Sequence, residues 1–289
     1  MLRKILFLVI CTSISVGMNA QDEETQHITE SGTPLEDYYI DGVVKRTLIE
    51  EGQVLEFDQP RESDVVWERK LWRVIDVREK MNMAFRSPLK PFFTILREMS
   101  ENGDVAVFKD EFFREPMTIE EIDKELNRVD TTTVFDYETY EEKVAVVRNT
   151  IDWNNIKKYR IKEVWYFDKE ASVLKARILG ISPILDDIDA ETGELKYSRP
   201  LFWIYYPEAR EHLAKFRVEN EGNDISPMTW YDLFEMRQFS SYIMKRSNTL
   251  DLRVEHIFDG YERAGIDRLM ESDKIKAELF NFEHDLWEY

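Results

Sequence analysis

The chain has 289 residues, 43% of them hydrophobic and 13% aromatic, with a formal net charge of −19. That length and aromatic content suffice for one or two domains, each with a core of its own. So acidic a surface repels phosphate backbones and anionic lipid, which argues against nucleic-acid binding and against direct membrane insertion.

In chain order, the first twenty residues (MLRKILFLVICTSISVGMNA) stand apart from the rest. Arg3 and Lys4 precede an apolar run from Ile5 to Ile10, which fades into small residues before Ala20. That is the order of a secretory signal peptide, too short to span a bilayer permanently. Cleavage is expected after Ala20 in preference to Gly17, leaving Gln21 as the new amino terminus. Cys11 follows Ile10 with more apolar chain beyond it, unlike a lipid-attachment cysteine, so no lipid anchor is expected. The exported remainder has no cysteine and must be held by its core alone. No later stretch reaches eighteen uninterrupted apolar residues, so a soluble exported protein is expected.

Residues 21–36 are acidic and polar and read as a flexible lead, followed by an extended arm; together they make a first region over 21–59. A globular region is expected over 60–255, and a helical, aromatic-rich tail over 256–289. Within the globular region a first helix is predicted over 64–82, with Ser63 or Asp64 as its N-cap. A second starts at Pro91, with Phe92, Ile95, Leu96 and Met99 on one face. Thr118 and Glu121 form a capping box for a third, whose buried stripe is Ile119, Ile122 and Leu126. A fourth starts at Pro207 and runs through Ala209, Leu213 and Phe216.

Strands fill the middle. "YRIKEVWYF" places Tyr159, Ile161, Trp165 and Phe167 on one face, interrupted by Glu163, with Lys162 among the residues opposite. After the turn "DKEA", the run "SVLKARILGI" completes a predicted antiparallel hairpin. "PLFWIYY" is too apolar for a half-exposed strand and predicts a central one, leading straight into the helix at Pro207. "SSYIMKR" predicts a further strand, and helical spacing returns over 258–280 before the chain ends in "FNFEHDLWEY". The expected fold class is α+β: an antiparallel sheet, with a hairpin around 158–182 and a central strand around 200–206, packed with several helices.

Catalytic patterns are not found. "DDIDAETGELKY" fails as a calcium loop: counted from Asp187, Gly193 falls at the seventh position and Ser198 at the twelfth, where glycine is needed at the sixth and glutamate at the twelfth. Shifting by one puts Ile188 in the first ligand position. A polar hairpin turn at Gly193 fits better. His27, His212, His256 and His284 lack zinc-site spacing. There is no Gly-x-Ser-x-Gly elbow and no Gly-rich phosphate loop. Among 58 acids, adjacent carboxylates carry no information about acid–base catalysis.

The stretch "WERKLWRVIDVREK" carries Trp67 and Trp72, whose rings would lie about 140° apart on a helix. A wheel gathers Val66, Trp67, Leu71, Val74, Ile75, Val77 and Met81 on a core-facing arc. Trp72 and Val65 fall outside it, flanked by Glu68, Arg69, Asp76 and Glu79. This predicts Trp67 in the core; the narrow strip of Val65, Arg69, Trp72 and Asp76 is either covered by another element of the same chain or a candidate protein interface.

Three segments add to this reading. "RESDVVWERKLWRVIDVREKMN", "DEFFREPMTIEEIDKEL" and "RPLFWIYYPEAR" resemble, in the same order, signature segments of the gliding motility protein N family (GldN, also called PorN) of the Bacteroidota type IX secretion system. The resemblance covers roughly residues 55–255. It implies a periplasmic structural protein with no enzymatic activity and no cofactor. It further implies pairing with an outer-membrane lipoprotein, the K component (GldK/PorK), in a large ring of many copies. That ring would meet the inner-membrane L and M components, the latter through its periplasmic part. The reading from another class is a periplasmic carbohydrate-binding or glycan-cleaving protein, in which exposed Trp and Tyr with nearby acids would serve as sugar platform and catalytic pair.

Overall fold

The computed structural model describes residues 54–136, 141–188, 195–219, 228–258, 260 and 263–285. In chain order its elements are β1 (Val65–Asp76), α1 (Phe92–Asn102), β2 (Val107–Phe108), α2 (Ile119–Leu126), β3 (Asn127–Asp136), β4 (Glu141–Thr150) and β5 (Ile156–Asp168). There follow β6 (Val173–Ile188), β7 (Leu195–Pro200), β8 (Trp203–Tyr205), α3 (Tyr206–Leu213), α4 (Trp230–Glu235), β9 (Tyr242–Arg246), α5 (Val254–Ile257) and α6 (Ala264–Asp285). The fold class is α+β. Strands β2-β8-β6-β5-β1-β9 form one antiparallel sheet in that order, with β7 also paired to β6, while β3 and β4 pair with each other.

The first element corrects the sequence reading. Where a helix is expected over 64–82, the chain forms β1, preceded by a 3-10 turn at Glu62–Asp64 and followed by a 3-10 segment at Lys80–Arg86. Val65, Val66, Trp67, Trp72, Val74 and Ile75 are β-branched or aromatic, types suited to a pleated surface. Because β1 lies inside the sheet between β5 and β9, Leu71 to Ile75 are buried on both faces. A strand covered on both sides shows no polar–apolar alternation. Its apolar residues can then be gathered on one arc of a wheel by chance.

The other three expected helices form. Pro91 precedes α1, whose Phe92, Ile95, Leu96 and Met99 are buried, and Gly103 ends it at φ 74°, a left-handed conformation that glycine adopts without strain. Both halves of the Thr118–Glu121 capping box are present at α2. Ile122 and Leu126 are buried there, but Ile119 is 52% exposed, contrary to expectation, because it opens the helix at its solvent end. Pro207 sits in the first turn of α3; Ala209 and Leu213 are buried, and Phe216 lies beyond the helix end. The "PLFWIYY" strand is the short β8, held between β2 and β6 and running directly into α3. Gly193 lies outside the described residues; the strands flanking it pair as a hairpin, with Asp186 opposite Ser198.

One sheet face carries Ile75, Tyr159, Ile161 and Ile181 against an aromatic cluster from α1, α4 and the 3-10 segment. There Phe92 meets Trp230 with ring centroids 4.4 Å apart, and Phe85 touches Phe92, Tyr159, Trp230 and Phe234. On the other face Trp72 and Val74 pack with Ile184, Trp203 and Met244. The sheet edge at β9 is covered by α6: the Ile243 amide donates to Ser272 Oγ at 2.7 Å, and Ile275 and Leu279 pack on Ile243 and Leu71. No helix among the described residues is long and apolar enough to cross a membrane.

The β5–β6 turn is fixed by Asp168, whose carboxylate accepts from Lys175 Nζ at 2.6 Å and from the Glu170 and Ala171 amides at 3.0 and 3.3 Å. The Lys175 contact, then the amides, hold its carboxyl below the ordinary aspartate range. A depressed folded-state pKa gives stability above the unfolded value, about 3.9, that is lost as the pH falls through the folded value. Asp168→Asn is therefore expected to unfold at lower denaturant concentration than the parent at pH 7. The gap should close as the pH drops below the ordinary aspartate pKa, and a gap unchanged down to acid pH would contradict this account.

Candidate functional site

Side chains alternate along a strand, so β1 sends Trp67, Arg69, Leu71, Arg73 and Ile75 to one face of the sheet and Glu68, Lys70, Trp72, Val74 and Asp76 to the other. The strip of Val65, Arg69, Trp72 and Asp76 expected from the helical wheel is thereby split. Val65 is half-buried before a bulge at Val65/Trp67, and Arg69 is exposed on the first face. Asp76, on the second, accepts from Arg78 Nε at 2.9 Å, a contact that holds its carboxyl below the usual range. Trp72 is only 2% exposed. Its own chain covers it. Trp67, expected in the core, lies at the core's margin, half-buried and stacked on Phe282 with centroids 4.7 Å apart.

Glu163, which interrupts the apolar face of its strand in sequence, anchors a charge cluster on the first face. It is fully buried and accepts from Arg73 Nε at 3.1 Å, Arg237 Nη2 at 2.7 Å and Trp165 Nε1 at 2.8 Å. Burial pushes the pKa of Arg73 down, and Glu163 opposes the shift. A fully buried carboxylate held by two guanidiniums and an indole N–H is a structural counter-charge, shut away from any substrate proton. Arg237 reaches this position from a backbone at φ 56°, unusual for a side chain of its size.

On the second face the lysines of β5 and β9 enclose Trp72. Lys245 Nζ stands 4.3 Å from the ring centroid and pairs with Glu111 at 3.1 Å and Asp251 at 2.7 Å. Lys162 Nζ donates to the Glu111 carbonyl at 2.6 Å and lies 4.8 Å from the Phe113 ring centroid. Such cation–π contacts matter most where water is absent. Burial pushes the Lys162 pKa down, against the pull of Glu111. Among the described residues no three His, Cys, Asp or Glu side chains are grouped to hold a metal ion.

The surface offers something different. A groove of about 1120 Å³ runs beside the 3-10 segment, lined by Met81, Met83, Leu89, Trp153, Val218 and Met228. Met81 is 64% and Met83 52% exposed. Methionine adapts to varied partner shapes, and exposed apolar surface of this kind marks contact sites. Lys80 and Arg86 border the groove and make no ion pair among the described residues. On so acidic a chain, that rim suits an apolar segment carrying acidic groups.

A model of the family described as gliding motility associated protein GldN matches residues 60–288. The chain belongs to the GldN family. The match runs past residue 255, where the resemblance read from sequence stops, and takes in α6. The sheet, both buried charge clusters and the groove all lie within the GldN region. No match to a curated protein was found. The second cluster encloses Trp72 of the expected strip, whereas the Glu163 cluster and the groove share no residue with it. Of their parts, only Glu163 carries a local signal in sequence, as a lone acid on an apolar strand face; the rest meet through contacts distant in the chain.

Proposed function

We propose that this GldN protein is a non-catalytic structural subunit of the periplasmic ring of the type IX secretion and gliding machinery. In this reading it assembles as a large homo-oligomer with the K lipoprotein, which holds it to the inner face of the outer membrane, and meets the periplasmic part of the M component. The observation that carries the reading is the family match over residues 60–288. Two features support it: the buried carboxylate Glu163 is committed to fixed cations, and the methionine-lined groove offers exposed apolar surface suited to a polypeptide contact. The glycan-binding alternative has no family match behind it; Tyr197 is exposed, but the described tryptophans are buried or half-buried.

The test is an affinity pull-down from solubilised outer membranes, with the parent chain and a Met81→Asp/Met83→Asp variant. Surface substitutions of this kind shift stability by about 0.5 kcal/mol or less, so both should fold and melt alike. The parent is expected to bring down a lipoprotein and elute in very large particles, and the variant to elute small and alone. A parent that elutes as a lone monomer without any lipoprotein would overturn the assembly reading.

A further inference from the structure

We propose that the cavity between β5, β9 and the start of α6 binds an amphipathic organic anion, a carboxylate on an apolar body. The cavity measures about 640 Å³, within the usual range for small-molecule sites. Its decisive feature is Arg160. Five cationic residues are buried among the described ones: Arg73, Arg160, Lys162, Arg210 and Lys245. Four have a partner: Arg73 in Glu163, Lys162 in the Glu111 carbonyl, Arg210 in Glu235 and Lys245 in Glu111. Arg160, 4% exposed, has neither hydrogen bond nor ion pair among the described residues, and its Nε is buried outright. An unpaired buried charge is costly. A cavity wall is where a ligand could remove that cost.

The rest of the wall fits an anion. Arg268 of α6 lines the same cavity, and its Nε is likewise buried without a hydrogen-bond partner among the described residues. Lys158 is matched by Asp186 at 3.5 Å and Arg253 by Glu255 at 3.2 Å, so the two unmatched guanidiniums remain as surplus positive charge. Burial first, and then the nearby Arg253, push the Arg160 pKa down, against the smaller pull of Glu111 and Glu255; an entering anion would offset both the burial cost and the repulsion. Gly265, in the first turn of the 22-residue α6, also lines the cavity, with open space where a side chain would stand. The positive end of the helix dipole therefore adds to the same field. Val74, Ile184, Met244 and Leu269 are among the apolar residues of the wall, with Tyr197, Ser198 and Tyr242 adding polar groups. Bare phosphate would leave that apolar surface uncovered, whereas an acid with an aliphatic body covers it while its carboxylate reaches the guanidiniums.

The probes are decanoate, decanol and inorganic phosphate, titrated by calorimetry into the full mature chain, with Arg160→Met and Arg268→Met as variants. Decanoate is expected to bind one per chain and raise the melting temperature, with decanol and phosphate much weaker. Each variant should weaken decanoate about tenfold or more, as the loss of a charged hydrogen bond implies. Without ligand, Arg160→Met should melt no lower than the parent, since it replaces an unpaired buried charge with an apolar side chain. Equal binding of decanol, absence of decanoate binding, or unchanged affinity in both folded variants would each overturn the proposal. An Arg160→Met chain that fails to fold would show the guanidinium to be structural, and unchanged decanoate affinity in Arg268→Met would then end it.

Discussion

Glu163→Ala is expected to lower the stability of the isolated protein by about 3–5 kcal/mol, the range for breaking a buried ion pair from one side. For a chain of this size that is a fall of roughly 6–20 °C in melting temperature. The substitution removes one carboxylate and strands three donors: the Arg73 and Arg237 guanidiniums and the Trp165 indole N–H. Arg73 cannot turn to water, because its side chain is only 10% exposed. Arg237 is more open and will recover part of its hydration. The loss therefore belongs mostly to Arg73, and Glu163→Ala combined with Arg73→Met should be more stable than Glu163→Ala alone. Thermal unfolding of the parent and the two variants decides the matter. A loss under about 1 kcal/mol for Glu163→Ala would mean that water reaches the site, and that the cluster does not hold β1, β5 and the segment after α4 together.

What the sequence discloses here follows the range of the interactions involved. Three helices are announced by chemistry confined to a few residues: Pro91 ahead of α1, the Thr118–Glu121 box at α2 and Pro207 in the first turn of α3. The β5–β6 hairpin is legible for the same reason, its turn being closed by Asp168 through contacts two to seven residues away. A fourth helix signal is equally local but not part of the sequence reading. Thr229 and Asp232 form a complete capping box for α4, with aspartate in the place where glutamate is usually sought. The β3–β4 pair was missed as well, though "TTTVF" and "VAVV" are β-branched runs. The charge clusters are illegible for a different reason. Glu163 meets Arg73 across 90 residues and Arg237 across 74, while Lys245 meets Glu111 across 134. In a chain with 58 acids and 39 bases, nothing local marks which of them will pair. The cavity at Arg160 is legible only in the fold, because its distinguishing property is a partner that is missing.

Trp72→Ala is expected to destabilise the folded chain by about 3–5 kcal/mol, the usual loss for a large buried aromatic, whereas Trp67→Ala should cost much less. This reverses the expectation drawn from a helical wheel, and the strand is the reason. Five positions along a helix leave two rings on different arcs of one cylinder. Along a strand an odd spacing puts them on opposite faces of the sheet. Both faces of β1 are covered, but not equally along its length: Leu71 to Ile75 are buried, while Val66 and the charged residues from Glu68 to Lys70 are exposed. Trp72 falls in the closed half. It packs with Val74, Ile184, Trp203 and Met244, and its ring faces the Lys245 ammonium, so truncation opens a cavity and removes a cation–π partner together. Its indole N–H has no acceptor among the described residues, so Trp72→Phe discards an unsatisfied donor along with some volume and should cost less than the alanine variant. Trp67 falls in the open half, where it stacks on the Phe282 ring near the end of α6 and packs at the margin of the Leu71–Ile243–Leu279 cluster. A stacked aromatic pair adds about 0.5–1.5 kcal/mol beyond its buried area, and its loss should free the end of that helix without unfolding the sheet. Melting curves test the global effect, and amide hydrogen exchange tests the local one. Trp67→Ala should exchange faster in the last turns of α6 at a nearly unchanged melting temperature, while Trp72→Ala should melt far lower or fail to accumulate. Equal losses in the two variants would place both rings in one cooperative core and make α6 inseparable from the sheet.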